Sequence, residues 1–232
     1  MIQRVLLWDV DGTLVKAGDL GAAVFDVALE QVLGVRPEAR VRMSGKTDPQ
    51  IVRDYLSEMN IEETSGVIEA VLHGIEMELG EAAASGELAA GGRACLGAAA
   101  LLAELAEQPT VLSTLVTGNI YPNALAKVAA FGLEQWLDLS VGAYGSDEDD
   151  RNLLVPIAMA RVAERKAWRV DPDQVWVIGD TPRDLECARA AGVRCLLVGT
   201  GRYPTDSLEN LGADVVLEDL CDTAAVVKLL TG

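Results

Sequence analysis

Two pairs of aspartates are the residues of this sequence best suited to chemistry. Each pair follows a short apolar run of the kind that forms a buried strand: Asp9 and Asp11 after residues 5–8, Asp180 and Asp184 after residues 175–178. Open α/β sheets bind their ligands at the carboxyl ends of such strands. Carboxylates gathered at one place repel each other unless cations compensate them, and their oxygen atoms suit Mg²⁺. The pattern therefore predicts an acidic, magnesium-binding site at one edge of a sheet.

Strand and helix patterns alternate after residue 90. Apolar β-branched runs, typical of strands, occur at 111–116, 139–141, 175–178, 193–198 and 214–217. Helical patterns lie between and after them, at 97–107, 122–131, 152–166, 183–191 and 220–230. This alternation predicts an α/β fold with a parallel sheet and helices on both faces.

Residues 16–89 have a different pattern, with helical periodicity at 20–33, 49–59 and 62–80 and no convincing strand. We expect an all-helical domain, inserted after the first strand, that lies above the strand ends. The core is then formed by residues 1–15 and 90–232. Residues 82–92, rich in alanine and glycine, are a candidate return hinge, although such alanines also favour helix.

Composition limits the kinds of partner that the protein can bind. Half of the 232 residues are hydrophobic and the net charge is −17, which argues against binding to nucleic acid or to an anionic membrane surface. We expect neither a membrane span nor a signal peptide. The four cysteines have no CxxC or zinc spacing, which suits reduced thiols and a cytoplasmic protein. A monomer is sufficient, and an oligomer remains possible.

Three motifs carry a resemblance to a known family. The stretch WDVDGTLV resembles the first motif of the haloacid dehalogenase superfamily, in its phosphatase branch. LVTGN at 115–119 resembles the second motif, and GDTPRD at 179–184 resembles the fourth. The helical insertion resembles the small cap of the members that are similar to phosphoglycolate phosphatase or phosphoglucomutase. The resemblance covers nearly the whole chain and implies a Rossmann-like core with hydrolase activity.

The resemblance also implies roles for the aspartates. Asp9 corresponds to the nucleophile that forms an aspartyl-phosphate, and Asp11 to the acid that protonates the leaving alcohol and then activates water. Mg²⁺ would bind Asp9, the main-chain carbonyl of Asp11 and Asp180. Asp184 would instead hold a metal-bound water or the nearby cation.

The second motif implies a phosphate site. Thr117 would donate its hydroxyl to the phosphate, while Gly118 and Asn119 would offer main-chain amides just before a helix. The third motif departs from the family, which usually has a lysine in this part of the chain. Lys166 comes too late, and Arg151 at the start of the same helix is predicted to take the place of the lysine.

Lys46 stands in SGKT, residues 44–47, which resembles the end of a P-loop. A P-loop would need a further glycine at position 40, where this chain has Arg40, and no strand leads into the segment. We therefore expect a substrate-specificity loop of the cap, in which Lys46 reaches the phosphate or the leaving group.

The predicted function is hydrolysis of a small phosphorylated metabolite by a magnesium-dependent phosphatase. A sugar phosphomutase on the same scaffold is the main alternative, and a phosphonate hydrolase that uses Lys46 as a Schiff base stays open. A catalytically idle binding or regulatory module is the alternative from outside the enzymes. An idle module would be expected to have lost Asp9, Asp11 or Asp180, and all three are present.

Overall fold

A parallel five-stranded sheet forms the centre of the protein. The computed structural model describes residues 2–168 and 170–232. Across the sheet the strands are Val111–Leu115 (β4), Arg4–Trp8 (β1), Val175–Gly179 (β5), Arg194–Val198 (β6) and Val215–Leu217 (β7). The chain passes from β1 to β4 on one side and then to β5 on the other. The crevice at the end of β1 is thus a switch point of the kind that binds ligands.

Side chains of β1 alternate between two hydrophobic layers, as the period of a strand requires. Leu6 and Trp8 pack on one face of the sheet, while Val5 and Leu7 pack on the other. Helices cover both faces, so the predicted α/β fold is confirmed. The core helices are Ala98–Ala106 (α5), Tyr121–Ala129 (α6), Leu154–Lys166 (α7), Pro182–Ala191 (α8), Thr205–Glu209 (α9) and Thr223–Thr231 (α10).

The inserted segment has its own hydrophobic cluster. Its helices are Leu20–Leu33 (α1), Asp48–Glu58 (α2), Ser65–Ser85 (α3) and Glu87–Gly91 (α4). Phe25 and Tyr55 stack within the cluster at 6.4 Å between ring centroids. A two-stranded antiparallel ribbon, Val15–Lys16 (β2) with Arg93–Ala94 (β3), joins the segment to the core. We refer to α1–α4 and their connections as the cap.

One predicted strand is wrong. Residues Leu139–Val141 form a short 3-10 helix, one of four with Glu134–Trp136, Arg151–Leu153 and Pro172–Gln174 among the described residues. Asp138 precedes the helix, and its carboxylate accepts hydrogen bonds from the Ser140 amide at 3.2 Å and hydroxyl at 2.6 Å. This local capping competes with extended pairing, and only an isolated bridge between Val116 and Ala143 remains beside β4.

The candidate hinge at 82–92 is mostly helical, since α3 and α4 meet at Gly86, which has a left-handed φ of 82°. Helix α9 was not predicted; only residues 205–209 form it, too few for a clear periodicity. No helix within the described parts of the chain has both the length and the apolarity needed to cross a membrane.

Candidate active site

Three adjacent strands end in polar residues at or beside one cavity. Asp9 follows β1, Thr117 follows β4 and Asp180 follows β5, and β1 pairs with both other strands. A cavity of about 210 Å³ lies between these strand ends and the cap. Its core side includes Asp9, Asp11, Thr117, Gly118, Asn119, Lys127 and Arg151; its cap side includes Gly18, Gly21, Ala22, Phe25, Met43, Lys46, Asp48 and Ile51.

Arg151 lies where the resemblance predicted a cation. Its guanidinium Nη2 is 3.0 Å from Asp9 Oδ1 and also contacts Asp184 Oδ1. All three side chains are buried, with exposed fractions of 6% or less. Asp150 supports the start of the 3-10 helix at Arg151, because its carboxylate accepts a hydrogen bond from the Asn152 amide. The Arg151 guanidinium therefore bridges the buried carboxylates of Asp9 and Asp184.

Burial and mutual repulsion dominate the electrostatics of the acids. Burial raises the pKa of Asp9 to about 6, although Arg151 opposes the shift. Burial, followed by the charges of Asp184 and Asp9, raises the pKa of Asp180 to about 8. Burial alone would lower the pKa of Arg151, but Asp184 and Asp9 raise it well above its ordinary value. The site therefore favours an additional positive charge.

The donor set fits a divalent cation. Carboxylate oxygens of Asp9, Asp180 and Asp184 lie within 4.8 Å of one another. When ionised, three carboxylates beside one guanidinium leave two uncompensated negative charges, which a dication would offset. Asp184 has both oxygens engaged, one by Arg151 and the other by the Thr181 amide and hydroxyl. The oxygens of Asp9 and Asp180 are therefore the better candidates for direct ligation.

Gly12 is required by the approach of Asp180. Its φ of 90° is left-handed, and a Cβ atom built there would be 2.5 Å from Asp180 Oδ2. The Thr13 hydroxyl also donates a hydrogen bond to Asp180 Oδ1 at 3.3 Å. The turn after Asp11 therefore packs its main chain directly on the Asp180 carboxylate, as a shared metal site would require.

Asp11 is held by two polar residues that follow β4. Lys127 Nζ lies 2.8 Å from Asp11 Oδ1 and 2.6 Å from Oδ2. The Asn119 side-chain amide donates to Asp11 Oδ2 at 2.7 Å and to the Thr117 hydroxyl oxygen at 2.9 Å. Lys127 in turn donates to Asn119 Oδ1 at 2.6 Å. The predicted acid and the predicted phosphate loop are thus joined in one hydrogen-bonded network.

The cap contacts this loop through both the main chain and the side chain of Asp48. The Asp48 amide donates to the Gly118 carbonyl at 2.7 Å, and the Asp48 carboxylate accepts from the Ile120 amide at 2.8 Å. A Cβ on Gly118 would lie 2.2 Å from the Lys46 carbonyl oxygen, so only glycine permits this approach. Asp48 therefore occupies the amino end of α6, where the helix dipole favours a negative charge.

Lys46 lines the cavity as expected, but its ammonium is paired with Asp54 within the cap. The structure thus brings together Asp9, Asp11, Lys46, Thr117, Gly118, Asn119 and Arg151 around one cavity, with Asp180 and Asp184 packed beside Asp9. Their individual roles stay predictions.

Sequence reasoning missed Lys127 and the buried position of Asp48. Lys127 is the only charged residue within the described helix α6, and its neighbours Ala124, Ala126 and Val128 are apolar or small. A single charge in such a helix was the available signal. Asp48 carried no comparable signal, because an aspartate in the first turn of a helix is common on solvent-exposed surfaces.

Comparison with known sequences agrees with the geometry. Residues 154–223 match the HAD-hydrolase-like family. Over 226 residues the chain is 24% identical to a phosphoglycolate phosphatase of Pectobacterium atrosepticum, covering 97% of this chain and 92% of that protein. These matches confirm the predicted resemblance to hydrolases of the haloacid dehalogenase superfamily.

Solved structures share the fold along almost the whole chain. A hydrolase from Pseudomonas syringae superposes with a TM-score of 0.73 at 20% identity, covering 98% of this chain and 99% of that one. A haloacid dehalogenase-like family protein from Streptococcus pneumoniae superposes with a TM-score of 0.64 at 17% identity, covering 97% and 98%. The fold of the core together with its cap is therefore that of these hydrolases.

Proposed function

We propose that this protein is a magnesium-dependent phosphatase that hydrolyses a small, soluble phosphate monoester through an aspartyl-phosphate on Asp9. One observation carries the proposal. The buried Asp9 carboxylate is ion-paired with Arg151 and lines the same cavity as Asp11 and Thr117. The unpaired cysteines among the described residues support a cytoplasmic location.

Substrate binding is assigned to the loop after β4 and to Arg151. The Thr117 hydroxyl and the amides of Gly118 and Asn119 would bind the phosphoryl oxygens, as donors preorganised by a fixed main chain. Arg151 offsets the charge of Asp9, so that an anionic phosphate can approach an anionic nucleophile. The cap side of the cavity would enclose the leaving group, with Lys46 moving from Asp54 to contact it.

In the first step a carboxylate oxygen of Asp9 attacks the phosphorus atom. The bond between phosphorus and the leaving oxygen breaks, and Asp11 gives its proton to that oxygen, so that the alcohol departs neutral. The negative charge of Asp9 has then passed into the acyl phosphate. Enclosure by the cap excludes bulk water during this step.

In the second step a water molecule attacks the phosphorus of the aspartyl-phosphate. Asp11, now a carboxylate, accepts a proton from that water, and the bond between phosphorus and Asp9 breaks. Inorganic phosphate and the Asp9 carboxylate result, while Asp11 is protonated again for the next cycle.

Asp9, the main-chain carbonyl of Asp11 and Asp180 would hold Mg²⁺. When bound, the ion supplies positive charge that stabilises the phosphoryl oxygens as negative charge develops on them. Asp184 contributes by fixing Arg151, since its Oδ1 contacts the guanidinium and its Oδ2 accepts from Thr181. Of the two roles expected for Asp184, this is the second, that of holding the nearby cation, which is here Arg151.

The test is the Asp9→Asn variant, assayed with Mg²⁺ on p-nitrophenyl phosphate and on a panel of phosphorylated metabolites. We expect loss of at least about 10⁴-fold in kcat, because the nucleophile is removed while the fold stays. Acid-quenched parent enzyme should carry a phosphoryl group on the peptide that contains Asp9. Residual turnover near the parent level would falsify the nucleophile assignment.

The same phosphoenzyme separates phosphatase from sugar phosphomutase. A phosphatase transfers the phosphoryl group to water, so the labelled enzyme releases inorganic phosphate at the rate of turnover. Preferential transfer to an added hexose phosphate would instead favour the mutase. A protein with no turnover and no phosphoenzyme on any substrate would favour the idle module.

A further inference from the structure

Lys127 is a buried cation for which the proposed chemistry has no task. Three cations line the described cavity: Lys46, Lys127 and Arg151. Arg151 is paired with Asp9 and Asp184, and Lys46 is paired with Asp54. Lys127 is paired with Asp11, and its side chain is only 9% exposed. Burying an ammonium is costly unless its donors are satisfied, so its contacts need an explanation.

Within the described residues, the hydrogen bonds of this ammonium go to Asp11 and to Asn119, the residue that also holds Asp11. Lys127 Nζ donates to both carboxylate oxygens of Asp11 and to Asn119 Oδ1. The Asn119 amide nitrogen approaches Asp11 Oδ2 from the other side. Lys127 and Asn119 together therefore clamp a carboxylate on which the proton transfers of the reaction depend.

Helix α6 gives Lys127 the reach for this contact. Its neighbours Ala126 and Ala130 pack on the hydrophobic cluster of the cap, whereas Ala124 and Val128 pack on that of the core. Lys127 consequently lies where cap and core meet. Helical side chains lean toward the amino end of their helix, which here is the end that follows Asn119.

Asp11 needs such a clamp because it lies in the turn after β1. Its side chain is 45% exposed, in contrast to the buried Asp9. A carboxylate in that setting has several staggered rotamers open to it, so a fixed orientation toward the substrate needs contacts that select one of them. Proton transfer requires hydrogen-bond reach in the reacting complex.

We propose that Lys127 is a positioning residue, which holds the Asp11 carboxyl group in the orientation needed to protonate the leaving alcohol. The inference rests on the proposed function, because it presupposes that Asp11 serves as the acid. Lys127 itself touches no reacting atom. Its loss should therefore lower kcat/KM, which reports the first step, only for substrates whose leaving group needs a proton.

The experiment compares kcat/KM for two substrates in the Lys127→Met variant. A simple alkyl phosphate has a leaving alcohol that must be protonated, whereas p-nitrophenyl phosphate releases a stable anion. We expect a decrease of about 100-fold for the alkyl phosphate, the scale of general acid catalysis, and less than about fivefold for p-nitrophenyl phosphate. Lys127→Arg should recover part of the loss, since it restores a cation beside Asp11.

Asp11→Asn provides the benchmark for this selectivity. It should show the same contrast between the two substrates, and the Asp11→Asn, Lys127→Met double variant should show no further loss, because the two residues act as one unit. Lys166→Met is the matched control: Lys166 is also helical and lies 2.6 Å from an aspartate, Asp138, but it does not line the cavity. It should leave both substrates unaffected.

Two outcomes overturn the inference. An equal loss on both substrates would assign Lys127 to phosphate binding or to folding, and no loss on either would leave Asp11 oriented without it. If the parent enzyme hydrolyses neither substrate, or Asp9→Asn keeps activity, the proposed function fails and the role of Lys127 fails with it. If the parent is active, Asp9→Asn is inactive and Lys127→Met loses activity equally on both substrates, the Lys127 proposal alone fails and the proposed function stands.

Discussion

The core side and the cap side of the cavity are built from different kinds of residue. On the core side, charged and polar groups contact one another at fixed strand ends: Asp9 with Arg151, and Asp11 with Lys127 and Asn119. On the cap side the lining is mostly small or apolar, as at Gly21, Phe25 and Ile51. The charged residues of that side are already engaged, Lys46 by Asp54 and Asp48 by the Ile120 amide.

This difference suggests that the core side performs the chemistry and that the cap side determines which substrates are accepted. A substitution of Asp9 or Arg151 on the core side leaves a buried charge without its partner and should reduce turnover of every substrate. A substitution on the cap side changes the shape and charge around the leaving group and should alter preference among substrates. Variants of the two sides should therefore differ in how evenly they affect different substrates.

Asp180→Ala should have the largest effect among them. It deletes a proposed metal ligand, so we expect kcat with Mg²⁺ to fall by about 10³-fold and the Mg²⁺ dependence to weaken. In the parent, Mg²⁺ should raise the melting temperature, and this shift should disappear in the variant. Asp206→Ala, which removes an exposed acid outside the cavity, is the control. If EDTA leaves the activity of the parent unchanged, the metal assignment is refuted.

Arg151→Ala should lower kcat/KM by about 100-fold or more on all substrates, because a preorganised positive charge is lost beside the nucleophile. Arg151→Lys should recover part of this, with a charge of different geometry. The control is Arg161→Ala, which breaks a guanidinium–carboxylate pair with Asp147 outside the cavity. A decrease smaller than about threefold in Arg151→Ala would make the residue merely structural.

Asp48 lies where the cap contacts the core, so a substitution there probes that contact. Burial raises its pKa to about 6, opposed in part by Lys127. The folded chain therefore holds this proton more tightly than the unfolded chain, and the stability due to the protonated carboxyl is lost as pH rises through about 6. Asp48→Asn cannot ionise, so at pH 8 its free energy of unfolding should exceed that of the parent by up to about 3 kcal/mol.

The excess in Asp48→Asn should shrink as pH falls below 6 and approach zero only near pH 3, below the ordinary aspartate pKa of 3.8, where the carboxyl is mostly protonated in both states of the parent. Urea unfolding of both proteins across this pH range measures it. If the variant is less stable than the parent at pH 8, the ionised carboxylate at the amino end of α6 is a net stabiliser.

Lys46→Met should have the smallest effect, below about tenfold in kcat/KM, because Asp54 already compensates the ammonium. Asp54→Asn gives the opposite change, since it leaves Lys46 uncompensated. It should lower KM for substrates whose leaving group carries a carboxylate, such as phosphoglycolate, and leave KM for neutral ones unchanged. Similar changes for charged and neutral substrates would remove Lys46 from the specificity loop.

Local patterns were sufficient for much of the fold. The helix predicted at 20–33 has those limits in the structure, and the apolar runs at 111–116 and 175–178 are strands within one residue at an end. The strand predicted at residues 139–141 was wrong because the capping by Asp138 is a side-chain contact, which the periodicity of the sequence does not reveal. Arg151 could be predicted for the site because the resemblance implies a cation between the second and fourth motifs.

Lys127 could not be placed in the same way. Lys127 and Asp11 are 116 residues apart in sequence, and they come into contact because β1 and β4 pair in parallel. The partners of Asp48 likewise depend on how the cap meets the core, which no local pattern describes. The residues whose contacts join distant segments are therefore those that needed the structure.

The ribbon of β2 and β3 constrains how the cap can move. Both crossings between cap and core run side by side, with Val15 opposite Ala94 and Lys16 opposite Arg93. The two paired chains resist sliding past each other, because sliding would break their pairing register. Inserting one residue into a single crossing would shift its side chains to the opposite face of the ribbon. Insertions at this point should therefore be tolerated only when both crossings lengthen together, so that the cap still returns to the same register above Asp9.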